Sequence, residues 1–284
     1  LIISTLAKMY ISINNELLPE TNANISVSDL SVQRGFGIFD FLKTINNHPV
    51  FLSDYLNRFF NSVKQMNMQA GFDRKQLSDA VFALIEKNNI PNSGIKIILT
   101  GGYADDGYTI VKPNLIIIQT PLNIIENPTK PIKLVSYNHQ RQLPQVKTID
   151  YLQAIRLQGF VKENNADDLL YHNNGLVREC PRANIFMVTN DEIITTKTEI
   201  LKGITRSKIL TMEIEGYKIL EQDFELEDIY AAKEVFITSS TKNIWPVSTI
   251  DGKQIGDGEN KIAKKINDKL LNLIKADKKT ELVF

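Results

Sequence analysis

At 284 residues, 43% of them hydrophobic, the chain can bury a sizeable core and suits one large domain or two modest ones. Lysine plus arginine equals aspartate plus glutamate at 33 each, so no net field draws nucleic acid or an anionic membrane, and any anion must be bound locally. One cysteine, Cys180, excludes an internal disulfide and fits a reducing cytoplasm.

No apolar run approaches the roughly 20 residues that span a bilayer. Residues 1–8 lack the basic leader and long apolar core of a signal peptide, and Met9 is the expected natural start. From there, 10–13 and 25–28 alternate as half-buried strands. Residues 39–44 and 49–51 read as a hairpin across Asn46-Asn47-His48. Ser53 is the expected cap of a helix carrying Tyr55, Leu56, Phe59, Phe60, Val63 and Met66 at helical spacing, with Arg58 beside the stripe. Asp73 caps a second helix that Asn88-Asn89 and Pro91 end. Strands at 95–100 and 114–119 flank a loop with three glycines and two tyrosines, and 121–131, polar and without periodicity, reads as an interdomain linker. The first part is thus strands covered on one side by helices, an α+β layer.

Beyond the linker, 132–136 reads as a strand and 149–162 as a helix. Short strands follow near 169–171, 184–188 and 192–195. A helix opens at Gly203-Ile204-Thr205 and is expected to stop at Gly216. A strand at 235–238 and a turn at Asp251-Gly252 precede a last amphipathic helix with Ile262, Ile266, Leu270 and Leu273. No internal repeat is visible.

The chemistry centres on Lys147, in Gln145-Val146-Lys147-Thr148-Ile149, which is followed 32 residues on by Glu179. A lysine amine attacks a carbonyl when burial or neighbouring positive charge lowers its pKa. An aldehyde cofactor such as pyridoxal phosphate (PLP) needs one such amine, an acid for its ring nitrogen and a cup of donors for its phosphate. Glu179 is the candidate acid, although a strand-end glutamate taken alone is commonly just a surface residue. Ile204 and Thr205 offer first-turn N–H groups, Ser240 and Thr241 offer hydroxyls and amides, and Arg58 adds a forked charge, each also compatible with an ordinary structural role. His48, His139 and His172 lack metal-ligand spacing, so no metal is expected. Cys180 has no activating neighbour that would make it a nucleophile. Phe39, Tyr103 and Trp245 are weaker candidates for a substrate wall.

Taken together, these segments resemble the class IV aminotransferases, the fold-type IV PLP enzymes that include branched-chain aminotransferases, D-amino-acid aminotransferases and 4-amino-4-deoxychorismate lyases. The likeness runs from about residue 10 to residue 271 and keeps six motifs in order. Arg34-Gly35-Phe36-Gly37-Ile38-Phe39 resembles the early Arg-Gly-aromatic-Gly segment. Tyr55-Leu56-Asn57-Arg58 matches the helix whose arginine holds the phosphate. Lys147 falls on the Schiff-base lysine and Glu179 on the acid at the pyridine nitrogen. Leu201-Lys202-Gly203-Ile204-Thr205-Arg206 matches the phosphate-binding helix start, and Phe236-Ile237-Thr238-Ser239-Ser240-Thr241, running into Ile244-Trp245-Pro246-Val247, resembles the second phosphate turn.

The resemblance implies an α+β, two-domain fold: a small N-terminal α/β sandwich over 9–120, the linker at 121–131, and a larger C-terminal pseudo-barrel over 132–284 carrying the cofactor. It also implies a cytoplasmic homodimer that exchanges an amino group between an amino acid and a 2-oxo acid. Three departures bear on substrate. Cys180 stands where the family usually has glycine. Gly101 stands where D-amino-acid enzymes and lyases often carry a carboxylate-binding arginine, and Asp105-Asp106 occupies the place of a later loop arginine. Cys180, followed by Pro181, alters the turn beside the ring, whereas the two arginine losses argue against D-amino-acid transamination and weaken the lyase reading; the expected substrate is a small apolar or branched-chain amino acid. The alternatives are a pyruvate-releasing 4-amino-4-deoxychorismate lyase and a PLP-binding protein without turnover.

Overall fold

The structure, a computed structural model, describes residues 9–280 and side chains through residue 277. The chain divides into two compact units, Leu1–Ile124 with Val146–Asp150, and Ile125–Gln145 with Tyr151–Phe284.

The first unit contains β1 (Tyr10–Ile13), β2 (Glu16–Pro19), α1 (Leu30–Arg34), β3 (Gly37–Ile45), β4 (His48–Pro49), α2 (Leu52–Gln65), α3 (Arg74–Asn88), β5 (Ser93–Thr100) and β6 (Leu115–Pro121). Its strands form one antiparallel sheet in the order β2-β1-β6-β5-β3-β4. Strand alternation puts Ile38, Leu42, Ile95, Ile97, Leu99 and Ile117 on one face, all at 0% exposure, and α2 and α3 cover that face. Full burial of each such side chain contributes about 1.5–3 kcal/mol. Asp73 and Gln76 form the capping box that starts α3.

Two expectations fail here. The cap of α2 is Phe51, left-handed at φ 56°, because the chain returns from the hairpin and enters the helix two residues early. Ser53 therefore lies inside the first turn, its hydroxyl accepting from Arg74 Nη2 at 2.7 Å. Residues 25–28 form no strand, since the Ser26 hydroxyl takes the Ser28 N–H and offers the backbone a local alternative to a ladder.

The second unit comprises β7 (Ile132–Asn138), α4 (Leu152–Arg156), α5 (Gln158–Glu163), β8 (Asp168–Asn173), β9 (Leu176–Val177), β10 (Asn184–Val188), β11 (Glu192–Thr195), α6 (Ile204–Leu210), β12 (Lys218–Glu221), α7 (Leu226–Tyr230), β13 (Glu234–Ser239), β14 (Asn243–Ile250), β15 (Lys253–Gln254) and α8 (Lys261–Thr280). They build a nine-stranded mixed sheet, ordered β12-β11-β10-β13-β14-β7-β8-β9 with β15 off β14. On one face Ile185, Met187, Val235, Ile237 and Val247 join a large apolar cluster. On the other, Phe186 stacks on Phe236 with ring centroids 5.0 Å apart. Asn184 and Thr238 share that second face, by the register that pairs them.

The helix expected over 149–162 is broken into α4 and α5 and begins only at Leu152, because residues 147–149 pair elsewhere. Helix α6 stops at Thr211 rather than Gly216, which instead turns the chain inside an Ile214–Tyr217 bridge. In α8 the buried stripe runs Ala263, Ile266, Leu270, Ile274, while Leu273 is 37% exposed. The boundaries also differ from those expected. The 121–131 stretch is shared out: Leu122 N–H bonds Asn92 in the first unit, whereas Glu126 and Asn127 hold Asn267 and Lys130 holds Trp245 in the second. Residues 146–150, expected in the C-terminal domain, group with the first unit. The expectations for residues 1–8 lie outside the described residues. Among the described residues no helix is long and apolar enough to cross a membrane, and no group of three His, Cys, Asp or Glu side chains is arranged to hold a metal.

Candidate active site

Strand β4 covers the edge of β3 only at Thr44 and Ile45, which leaves the backbone groups of its first half to be satisfied by another segment. Residues 147–149 do so: Phe39 N–H donates to Lys147 O at 2.9 Å and Ile149 N–H to Gly37 O at 3.1 Å. This pairing sets Lys147 beside Phe39, and its Nζ lies 4.5 Å from the ring centroid, within cation–π range. The structure thus brings the predicted lysine and the predicted wall residue Phe39 together.

Arg58 is no surface arginine, being 11% exposed and engaged by Asp40. Its Nε donates to Oδ2 at 3.0 Å and its Nη2 to Oδ1 at 2.6 Å, a forked pair that orients the guanidinium. The guanidinium also sits 5.2 Å from the Tyr55 ring centroid. Asp40 was missed by sequence reasoning, although a carboxylate between Phe39 and Phe41 in an apolar strand asks for a partner. Tyr103 bridges to Asp29 through the backbone and is 43% exposed. Gly101 has no room for a side chain: a Cβ there would meet Leu30 Cδ1 and Phe36 Cδ1 at 2.8 Å. Asp106 turns into its own loop, accepting from the Tyr108 and Thr109 N–H groups and the Thr109 hydroxyl. These bonds lower its pKa to about 2, the Thr109 hydroxyl contributing most.

In the second unit Glu179 is 6% exposed and held on both oxygens. Arg141 Nε donates to Oε1 at 3.0 Å, and Leu201 N–H donates to Oε2 at 3.1 Å. Arg141 is itself anchored by the Pro144 carbonyl. Asn184 links this carboxylate to Leu201 and Gly203, and therefore to the start of α6. Helix α6 has Gly203 as its cap and no capping side chain, so nothing in the cap takes the first-turn N–H groups of Ile204 and Thr205. Because β10 and β13 pair Asn184 with Thr238, the strand leading to Ser240 and Thr241 runs beside the same asparagine. The Ser239 hydroxyl accepts from Lys242 N–H at 3.2 Å and closes that turn. A carboxylate at one side and helix-start amides with turn hydroxyls at the other fit a flat ring bearing a basic nitrogen and a phosphate.

Asn184 and Arg141 were also missed. The signal available for Asn184 was a lone amide opening the apolar run Ile185-Phe186-Met187-Val188. Trp245 is not brought to this cluster. It lies on the sheet face away from Asn184, packed against the apolar core, its Nε1–H donating to Lys130 O at 2.9 Å. Cys180 likewise points into the core at 1% exposure, and burial pushes its thiol pKa well up. The altered residue next to Glu179 is thus a packing residue. His172 accepts from Gly175 N–H, and His139 packs edge-on against Tyr171.

The chain is 27% identical over 277 residues to a Methanocaldococcus jannaschii protein provisionally named a branched-chain-amino-acid aminotransferase, covering 92% of this chain and 96% of that one. It is also 27% identical over 258 residues to a D-alanine aminotransferase of Staphylococcus haemolyticus, covering 87% and 91%. The fold matches a branched-chain aminotransferase of the thermophilic archaeon Thermoproteus uzoniensis solved with norvaline, with a TM-score of 0.85 at 22% identity over 95% of this chain and 96% of that one. The family model for amino-transferase class IV matches residues 37–250, a span that takes in Lys147, Glu179, α6 and the Ser240-Thr241 turn, and the chain belongs to that family of enzymes.

Proposed function

We propose that this class IV aminotransferase moves the amino group of a small apolar, branched-chain amino acid to a 2-oxo acid, using PLP. Class IV aminotransferases use this cofactor. Bound PLP supplies an electrophilic aldehyde and a ring that withdraws electrons from the substrate α-carbon. Lys147 would hold the aldehyde through its Nζ, and the same amine would take a proton from, or return it to, the substrate α-carbon. Glu179 would accept a hydrogen bond from the ring nitrogen and favour its protonated form. Arg58, the amides of Ile204 and Thr205, and the groups of Ser240 and Thr241 hold the phosphate. Phe39 lines the substrate side and keeps water from the lysine.

The observation that carries the substrate reading is the Lys147 Nζ lying 4.5 Å from the Phe39 ring centroid, an apolar wall at the reacting amine. Gly101, packed shut by Leu30 and Phe36, supports it, since a carboxylate-binding side chain has no place there. The reading includes a cytoplasmic homodimer. The test is a donor screen with 2-oxoglutarate as acceptor. L-Leucine, L-isoleucine and L-valine are expected to bleach the visible band of the loaded enzyme and yield L-glutamate. Turnover of D-alanine alone, or pyruvate release from aminodeoxychorismate without any amino transfer, would refute the substrate reading. A Lys147→Ala variant that binds PLP as tightly as the parent would refute the lysine assignment.

A further inference from the structure

Asn184 is 5% exposed at the start of β10, and each polar atom of its side chain is committed. Its Oδ1 accepts from Gly203 N–H at 3.1 Å. Its Nδ2 donates to the Leu201 carbonyl at 2.7 Å and to Glu179 Oε2 at 3.4 Å. Only one orientation of the amide serves these partners. Turned over, its oxygen would face a carbonyl and a carboxylate while its NH2 faced an N–H. Aspartate has the wrong chemistry for two of the three contacts, and serine lacks the reach.

Gly203 shows how tightly the contact is built. Its backbone is extended, φ −67° and ψ 145°, so the position does not need glycine for its dihedral angles. It needs glycine for space: a Cβ would stand 2.2 Å from Asn184 Oδ1. The glycine that opens α6 and the asparagine that opens β10 are therefore one fitted pair, with the Glu179 carboxylate on the far side of the same amide.

We infer that Asn184 is a positioning residue that ties the Glu179 carboxylate to the start of α6. It sets the separation between the acid for the ring nitrogen and the donors for the phosphate. This rests on the roles proposed above for Glu179, Ile204 and Thr205. A planar amide bonded on both sides transmits little slack, so loosening it disturbs both ends of the cofactor together.

The experiment uses the full-length chain and the variants Asn184→Ala, Asn184→Asp and Gly203→Ala, each alone and combined with Glu179→Gln. Equilibrium dialysis measures the Kd of PLP and of pyridoxal, which lacks the phosphate. A second readout is the pH titration of the bound cofactor's visible absorbance. Asn184→Ala is expected to weaken PLP about ten-fold, the size expected when buried partners lose one amide, and pyridoxal much less. It should also shift the absorbance titration in the direction that Glu179→Gln does. Gly203→Ala should reproduce both effects with Asn184 intact, and it carries the test if the Asn184 variants fail to fold. In the Glu179→Gln background the titration shift should vanish while the lost preference for PLP over pyridoxal persists. A folded Gly203→Ala or Asn184→Ala with the parent's preference and titration overturns the proposal, and so does a change in only one of the two readouts. An unmoved titration in Glu179→Gln alone instead overturns the assignment of Glu179, a different result from any shown by the Asn184 variants.

Discussion

Replacing Asp40 with asparagine should destabilise the first unit strongly. Asp40 is 0% exposed, carries both arms of the Arg58 fork at 2.6 and 3.0 Å, and accepts from Phe41 N–H at 2.7 Å. Removing one partner of such a pair leaves the other charge buried and unmatched, which costs about 3–5 kcal/mol in closed interiors. Arg58 is 11% exposed, so some water reaches the guanidinium and the lower end, roughly 3 kcal/mol, is expected. Urea unfolding of the cofactor-free chain measures this, with near-ultraviolet and far-ultraviolet signals compared to expose separate transitions of the two units. The double variant Asp40→Leu/Arg58→Met should recover much of the loss, because it removes the orphan charge as well as the pair. A loss below about 1 kcal/mol for Asp40→Asn would refute the reasoning. So would a double variant as unstable as the two single losses added together.

Three further outcomes follow from the geometry. Gly101→Arg should destabilise by about 1–3 kcal/mol or more, since its Cβ alone displaces Leu30 and Phe36, and should confer no new D-amino-acid turnover; a neutral melting temperature would count against the packing described. Asp106 should titrate near 2 by NMR rather than at the ordinary 3.8. Its folded pKa is depressed, so its contribution to loop order is present above the unfolded value and is lost as pH falls through about 2; a midpoint at the ordinary value would show the Thr109 bonds to be absent in solution. Cys180, buried and with its thiol pKa raised, should resist a thiol reagent in native protein and react at once in denaturant; fast native labelling would contradict its place in the core.

The order of elements was largely legible in the chain. Alternation marked β1, short apolar runs between turn residues marked β3, β5, β6, β10 and β13, and Asp73 announced α3. What failed was local competition: the Ser26 hydroxyl undoes a strand pattern, and the hairpin return makes Phe51 the cap in place of Ser53. Site residues with a reactive or charged end in an expected motif, Lys147, Glu179 and Arg58, could be nominated from type and spacing. Their supports could not, because Asp40, Arg141 and Asn184 act through contacts distant in sequence, and a buried amide in an apolar strand names no partner until the fold supplies one.

By itself the sequence determined the family, through six motifs in order, together with the residue types able to hold an aldehyde, a ring nitrogen and a phosphate. Only the tertiary structure decided which candidates stand together. It pairs Lys147 with Phe39 because β3 has an uncovered edge. It fastens Glu179 to α6 through Asn184. It buries Cys180 in the core, and it turns Trp245 to the sheet face away from Asn184 because strand alternation sends neighbouring side chains to opposite faces. Residue chemistry is a local property that the chain states outright, whereas facing and separation depend on pairings made across the fold.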